Sequence, residues 1–259
     1  MAEPSLVSLD RRPDGVAVVR LDNPKVNALA PELLERLASV ADELTADAPG
    51  AVVITGGERI FAAGADISRF GSPEDARSYG VVLRRAFDAV AAVPRVTIAS
   101  VAGYALGGGC ELAMACDLRI VSDRAVFGQP EILLGLIPGA GGTQRLARLV
   151  GVSRAKELIF SGRQVAAEEA LRIGLADRVV GHDTLHDEAL AWAGTFARGP
   201  LAVQALAKHA IDTGLDGPLS AGLDLELEDF VAAFRTADSA IGIKSFLADG
   251  PGKAAFTGR

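Results

Sequence analysis

The sequence is poor in the residues that most often build metal sites, disulfides and nucleophilic centres. It has two cysteines and three histidines in 259 residues. Cys110 and Cys116 stand six apart in one expected helix, on different faces, which suits neither a disulfide nor a metal pair and fits a reducing compartment. His182 and His186 have helical i, i+4 spacing, but His-Asp-Thr-Leu-His lacks the glutamate of a zinc-protease motif, so a solvated helix start is expected rather than a metal site. Lysine is scarce too: Lys25, Lys156, Lys208, Lys244 and Lys253 are scattered, and the net charge is −7. No broad basic surface is available for a nucleic-acid backbone. No apolar run is long enough to span a bilayer. The opening Met-Ala-Glu-Pro-Ser lacks the basic and apolar parts of a signal peptide, so a cytoplasmic, soluble protein is expected.

Several catalytic motifs are also missing. There is no Gly-x-x-x-x-Gly-Lys-[Ser/Thr], so a P-loop is excluded, and no Gly-x-Ser-x-Gly elbow. Gly139-Ala-Gly-Gly-Thr-Gln144 only grazes a dinucleotide fingerprint and does not follow a strand. Cys110 has no evident histidine partner and reads as a small core residue.

What is present is an ordinary globular balance, 49% apolar and 23% charged, enough for one large domain with an appendage. Strands are expected at residues 6–9, 16–21, 51–55, 95–101, 118–121, 125–127 and 177–180. Helices are expected from Pro31 through Asp47, where Leu33, Leu34, Leu37, Val40, Ala41 and Leu44 form a stripe, and from about residue 76 to Val93. A short helix follows Gly107. Further helices are expected over 143–150, 153–160, 166–173, 185–197, 201–213 and 223–233. Residues 61–67 and the last ten residues read as loops, the latter expected to dock on a surface not specified by the sequence. Strand–helix alternation implies an α/β layered fold with crossover connections. It leaves open whether the sheet is doubly wound or coiled into a spiral. Gly199-Pro200 divides a core over residues 1–198 from a helical region over 199–259. Apolar residues of that region, Leu223, Leu225, Leu227, Phe230, Val231 and Phe234, suit intrachain packing or a subunit interface, with the interface preferred.

The stretch with most chemical content is Gly103-Tyr-Ala-Leu-Gly-Gly-Gly-Cys-Glu-Leu-Ala-Met-Ala-Cys-Asp117. A triple glycine opens into an apolar helix carrying one acid, Glu111. The first N–H groups of a helix have no internal acceptor and, with the helix dipole, can stabilise a negative oxygen. The same window also suits a tight strand-to-helix turn with an exposed glutamate. A second acid, Glu131, precedes the apolar run to Pro138 and the flexible Gly139-Ala-Gly-Gly142. Two such glutamates sharing a pocket would titrate as a coupled pair, one protonated and one ionised, as acid–base addition of water requires.

The motifs Asn23-Pro-x-x-x-Asn27-Ala-Leu, Phe61-Ala-Ala-Gly-Ala-Asp66, Gly103-Tyr-Ala-Leu-Gly-Gly-Gly-Cys-Glu111, Pro130-Glu131-Ile…Pro138-Gly-Ala-Gly-Gly-Thr-Gln-Arg145 and Ser161-Gly-Arg…Ala167-Glu-Glu-Ala…Gly174-Leu175 resemble the enoyl-CoA hydratase (crotonase) family. The resemblance runs over roughly residues 15 to 180. It implies a spiral core of ββα units, a C-terminal helical part, a trimer or dimer of trimers, and a coenzyme A thioester as substrate with no further cofactor and no metal. It associates the chain with fatty-acid metabolism and β-oxidation, and leaves acyl length open. Carried over by motif, the backbone N–H groups of Ala65 and Gly108 form an oxyanion hole, and Glu111 and Glu131 are the catalytic acids. Glu111 is assigned to deprotonating water and Glu131 to protonating C2. Lys25, Ala28, Ala63, Gly64, Asp66, Ile67, Ser68 and Gly139 join Ala65 and Gly108 in binding substrate, with Lys25 beside a phosphate and the Gly139 N–H orienting Glu131. Phe70, Tyr79, Leu83, Leu133 and Leu136 are either acyl-pocket or core residues. The activity so implied is hydration of a 2-enoyl-CoA. A Δ3-Δ2 enoyl-CoA isomerase, using chiefly the Glu131 position, and a non-catalytic acyl-CoA binder are the alternatives. The family's basic ending is replaced here by Ala248-Asp-Gly-Pro-Gly-Lys253.

Overall fold

The computed structural model describes residues 6–258. The first five residues, read above as lacking a signal peptide, and Arg259 lie outside the described residues. The chain opens with an antiparallel pair, β1 (Val7–Arg11) and β2 (Val16–Leu21), with Val7 opposite Leu21. Asp14 closes the turn between them by accepting from the Val16 N–H at 3.1 Å. Helix α1 (Pro31–Ala46) starts on Pro31, whose missing N–H costs nothing in a first turn. It buries the 33/34/37/40/41/44 stripe expected from the sequence.

From there consecutive strands go to different sheets. Strand β3 (Ala51–Thr55) joins the larger sheet, β4 (Ile60–Ala62) the smaller, and α2 (Pro73–Ala91) follows, its N-terminus capped by the Ser72 hydroxyl. The next turns repeat the pattern: β5 (Val96–Val101), β6 (Tyr104–Leu106) and α3 (Gly108–Ala115), then β7 (Leu118–Ser122), β8 (Val126–Gly128) and α4 (Gly142–Val150). Helix α5 (Val152–Ser161), β9 (Gln164–Ala166), α6 (Ala167–Ile173), β10 (Arg178–Val180) and α7 (Leu185–Ala197) complete the core. The sheets have orders β1-β2-β3-β5-β7-β10 and β4-β6-β8-β9. Because β3, β5 and β7 are neighbours in one sheet and β4, β6 and β8 in the other, the core advances as a spiral of ββα turns rather than as a doubly wound sheet.

Strand residues point alternately to opposite faces. Ala17, Val19, Val52 and Ile54 face the main core with α1, α2 and α3. Val16, Val18, Val53, Ile98 and Ile120 face α7, where Leu185, Ala189, Trp192 and Ala193 cover them.

Beyond Pro200 come α8 (Leu201–Gly214), α9 (Leu219–Ala233) and α10 (Ala237–Asp249). The Lys208 ammonium reaches Asp117 at 2.9 Å and ties α8 to the core. The last residues fold back on α10, where the buried Asp238 carboxylate accepts from the N–H groups of Thr257 and Gly258 at 2.7 and 2.8 Å.

Four expectations need correction. Strands β4, β6 and β9 have three residues each, too few to display alternation. The 61–67 stretch is therefore not loop throughout: it holds the end of β4 and the start of a 3₁₀ turn, Ile67–Arg69. Helix α9 begins at Leu219, earlier than residue 223, just after Pro218. Helix α10 was absent from the sequence reading, although Thr236 supplies a cap signal by accepting from Ser239 N–H at 3.2 Å.

Candidate active site

Glu111 sits one turn inside α3 and is 2% exposed. Its Oε1 accepts from two backbone N–H groups, Ala140 at 2.8 Å and Gly142 at 2.7 Å. Burial raises its proton affinity, and those two donors, aided by the nearby Arg145 charge, pull it part of the way back. Arg145 also caps the Ala140 carbonyl at 3.1 Å, which firms the turn. This differs from the expectation that the Gly139 N–H orients Glu131. Gly139 is exposed, and it is the next peptides of the same turn that serve Glu111. Gly142 can make this approach only without a side chain, since a β-carbon would lie 1.9 Å from Gln129 Oε1.

Glu131 enters from the other side, in the first turn of a 3₁₀ segment, Pro130–Leu134. Its Oε1 lies 3.1 Å from where a β-carbon on Gly107 would be. Its Oε2 is buried and has no hydrogen-bond partner. Burial, reinforced by the charge of Glu111, pushes its carboxyl up to about 7. The two acids thus sit in different surroundings: Glu111 Oε1 is held by two donors, whereas Glu131 Oε2 has none.

Two backbone N–H groups are aimed into the same region. In a planar trans peptide the C=O and N–H point in opposite directions. The Gly64 carbonyl accepts from the Leu29 N–H at 2.9 Å, so the Ala65 N–H of that same peptide points away from Leu29. The Gly107 carbonyl accepts from the Glu111 N–H at 3.0 Å and from the Gln129 side-chain amide at 2.9 Å, so the Gly108 N–H points the other way. Both turns use a positive-φ glycine, Gly64 at 114° and Gly107 at 52°. A β-carbon on Gly64 would lie 3.7 Å from the Gly108 nitrogen, which puts the donors side by side. Neither N–H has an acceptor among the described residues. Gly108 is the first residue of α3, where the helix dipole adds positive potential.

The wall beside these donors is rigid. Buried Asn27 donates to the Phe61 carbonyl at 3.1 Å, and its side-chain oxygen accepts from the Asn23 N–H at 2.8 Å. Asn23 in turn holds the Ala28 carbonyl at 2.7 Å, and Ala63 N–H donates to the Val26 carbonyl at 3.1 Å. Lys25, Ala63, Ile67 and Ser68 are exposed on this wall, and Ala28 is half-buried. Asp66 turns inward on its own loop: Ser68 donates to it from both Oγ and N–H and holds its carboxyl below the usual range. Of the five residues with two readings, Tyr79 and Leu83 are buried in the core, Phe70 packs on the Tyr79 ring, and Leu133 and Leu136 are exposed beyond Glu131. Cys110 is buried, which pushes its thiol up to about 12 and leaves it no nucleophilic character.

The sequence reading missed Gln129, Ala140 and Gly142 as builders of the site. A buried amide just before Pro-Glu was a signal within reach, since a polar group in an apolar surround has a partner to satisfy.

A carboxylate pair in contrasting surroundings, set beside paired backbone donors, defines a site for moving protons next to a carbonyl that takes on negative charge. Comparison with known proteins agrees with that class. The chain belongs to the enoyl-CoA hydratase/isomerase family, whose model matches residues 11–258. It is 43% identical over 247 residues to a probable enoyl-CoA hydratase of Mycobacterium bovis, covering 95% of each chain. It is 42% identical over 238 residues to a short-chain-enoyl-CoA hydratase of Clostridium acetobutylicum, covering 90% of this chain and 91% of that one. The crystal structure of an enoyl-CoA hydratase from Bacillus anthracis superposes with a TM-score of 0.92 at 37% identity, covering 98% of this chain and 100% of that one.

Proposed function

We propose that this protein is a 2-enoyl-CoA hydratase, adding water syn across the 2,3 double bond of an acyl-CoA thioester to give the 3-hydroxyacyl-CoA. The observation that carries this reading is the asymmetry of the carboxylates: Glu111 accepts two backbone N–H bonds, whereas Glu131 Oε2 has none and its carboxyl is pushed up to about 7.

In this reading the thioester oxygen accepts from the Ala65 and Gly108 N–H groups. Each such donor stabilises the developing enolate by about 3–4 kcal/mol. One water lies between the glutamates. Glu111, whose carboxylate form the Ala140 and Gly142 N–H groups stabilise, takes its proton as the oxygen bonds to C3. The π electrons move toward the thioester, and C2 takes a proton from Glu131. A proton then returns from Glu111 to Glu131 and restores the starting pair. Coenzyme A lies along residues 63–68, with Lys25 near a phosphate, and the exposed Leu133 and Leu136 lie where they can meet the acyl chain. No metal or further cofactor enters the steps.

Retention of Glu111 favours hydration over Δ3-Δ2 isomerisation, which needs chiefly the acid at position 131. Intact acids at both positions, Glu111 buried and Glu131 half-buried, also disfavour a non-catalytic binder, because charge withdrawn from water is costly to keep. The apolar face of α9 suits assembly into trimers or a dimer of trimers. No helix among the described residues is long and apolar enough to cross a membrane, and two buried free thiols suit the cytoplasm. Following loss of the conjugated thioester absorbance of a short 2-enoyl-CoA tests the activity. Turnover supports a hydratase, and tight binding without turnover would support the binder instead.

A further inference from the structure

We propose that Tyr79 is a positioning residue for the Ala65 N–H, its hydroxyl serving as an inserted rung that sets the backbone on the far side of that donor. The inference rests on the reading of Ala65 as an oxyanion donor.

The residue is carried by α2, far from the reacting groups in sequence, and is 4% exposed. Its ring packs on Phe70 with centroids 5.2 Å apart, which fixes where the hydroxyl can reach. That hydroxyl donates to the Leu29 carbonyl and accepts from the Asp66 N–H at 2.9 Å. Burial raises its pKa, so the phenol keeps the proton it needs to donate.

Leu29 and Ala65 form an isolated parallel bridge. In a parallel ladder the bridge residue uses both of its backbone groups. Its N–H goes to the residue before its partner, and its C=O accepts from the residue after. The first rung is direct, Leu29 N–H to Gly64 C=O at 2.9 Å. The second would be Asp66 N–H to Leu29 C=O, and there the tyrosine hydroxyl stands between the two groups. Ala65 is therefore bracketed. The peptide before it, which carries its N–H, is held by Leu29, and the peptide after it is held by Tyr79. The link at Asp66 runs through the hydroxyl whereas the link at Gly64 is direct, and this difference sets the tilt of the Ala65 N–H toward Gly108.

This geometry distinguishes positioning from mere core packing. In Tyr79→Phe the Leu29 carbonyl and the Asp66 N–H can close on each other as an ordinary rung, so no buried polar group need stay unpaired. The fold survives, but the Ala65 donor swings. Misplacement of a reacting group by about 1 Å can cost roughly 10²-fold in rate.

The test uses the full chain. Wild type and Tyr79→Phe are compared for kcat and KM on a short 2-enoyl-CoA, for pH profile, and for the Raman carbonyl frequency of a bound, unreactive conjugated thioester. The expected result for Tyr79→Phe is a kcat lower by about 10- to 100-fold with KM little changed, an unaltered pH profile, and a smaller carbonyl downshift than in wild type. Wild-type kcat with the full downshift would overturn the proposal, and so would a lowered kcat with the full downshift. If wild type itself polarises no carbonyl, the oxyanion reading fails first and this inference falls with it. Should Tyr79→Phe not fold, 3-fluorotyrosine incorporated in a Tyr104→Phe background changes the hydroxyl's donor strength in place. A changed carbonyl frequency supports the proposal, and an unchanged one overturns it.

Discussion

The backbone nitrogen of Ala65 lies 3.4 Å from the point that a β-carbon on Gly108 would occupy. Such a methyl would crowd the Ala65 N–H, and its other close neighbour is the Leu29 Cδ1 at 3.0 Å. The next residue differs in kind. A β-carbon on Gly109 would meet the Ala62 carbonyl oxygen at 2.0 Å, backbone against backbone with nothing free to move.

Gly108→Ala is therefore expected to fold, with a modest fall in Tm, and to lose kcat by about 10²-fold. Gly109→Ala is expected to lose stability by about 3 kcal/mol or to fail to fold. Thermal unfolding and initial rates on both variants check the pair. Equal effects on Tm and kcat in the two would mean that Gly108 is as purely structural as Gly109.

Glu131 links activity to stability through pH. In the folded chain it holds its proton to about 7, whereas the ordinary value is 4.5. Between those values the folded state binds more protons than the unfolded state, so this group makes wild type less stable as pH rises through that window. Glu131→Gln, neutral at every pH, should match wild type in Tm near pH 4.5 and exceed it above pH 7, while losing hydration. Catalysis by wild type should fall as pH rises through the apparent upper pKa of the pair, since Glu131 must be protonated to supply C2. A Tm difference that shrinks as pH rises would contradict the assignment.

Helix α9 exposes Leu219, Leu223, Leu227 and Phe230 at helical spacing, with Phe234 exposed just past its end, a face too apolar to be left to water. Light scattering is expected to give a mass of three or six times the 26.7 kDa chain. Leu227→Asp combined with Phe230→Asp should reduce that mass to a single chain or small species. A wild-type monomer would overturn the interface.

Much of this was legible in the sequence because it is local. The stripe of α1 and the glycine entry to α3 are written in spacing and turn chemistry. The spiral was not, because β4, β6 and β9 are too short to carry a pattern, and sheet membership is decided by what each strand meets in space. Both glutamates stood out as acids in apolar runs. Their difference did not, since it depends on where the Ala140 and Gly142 N–H groups land, 29 and 31 residues beyond Glu111. Tyr79 read as an acyl-pocket or a core ring, and the positioning role proposed for it rests on its hydroxyl's neighbours, 50 and 13 residues away. Long-range hydrogen bonds of this kind leave no periodic trace.

In the proposed mechanism water is added by two glutamates acting together, with Glu111 as the base. The most direct measurement is the rate at which a short 2-enoyl-CoA loses its conjugated absorbance with wild type and with Glu111→Gln, which keeps the size of the side chain and removes its charge. Rapid hydration by wild type is expected, with a loss of roughly 10²–10⁴-fold in kcat for Glu111→Gln and thioester binding retained. Near wild-type hydration by Glu111→Gln would contradict that mechanism.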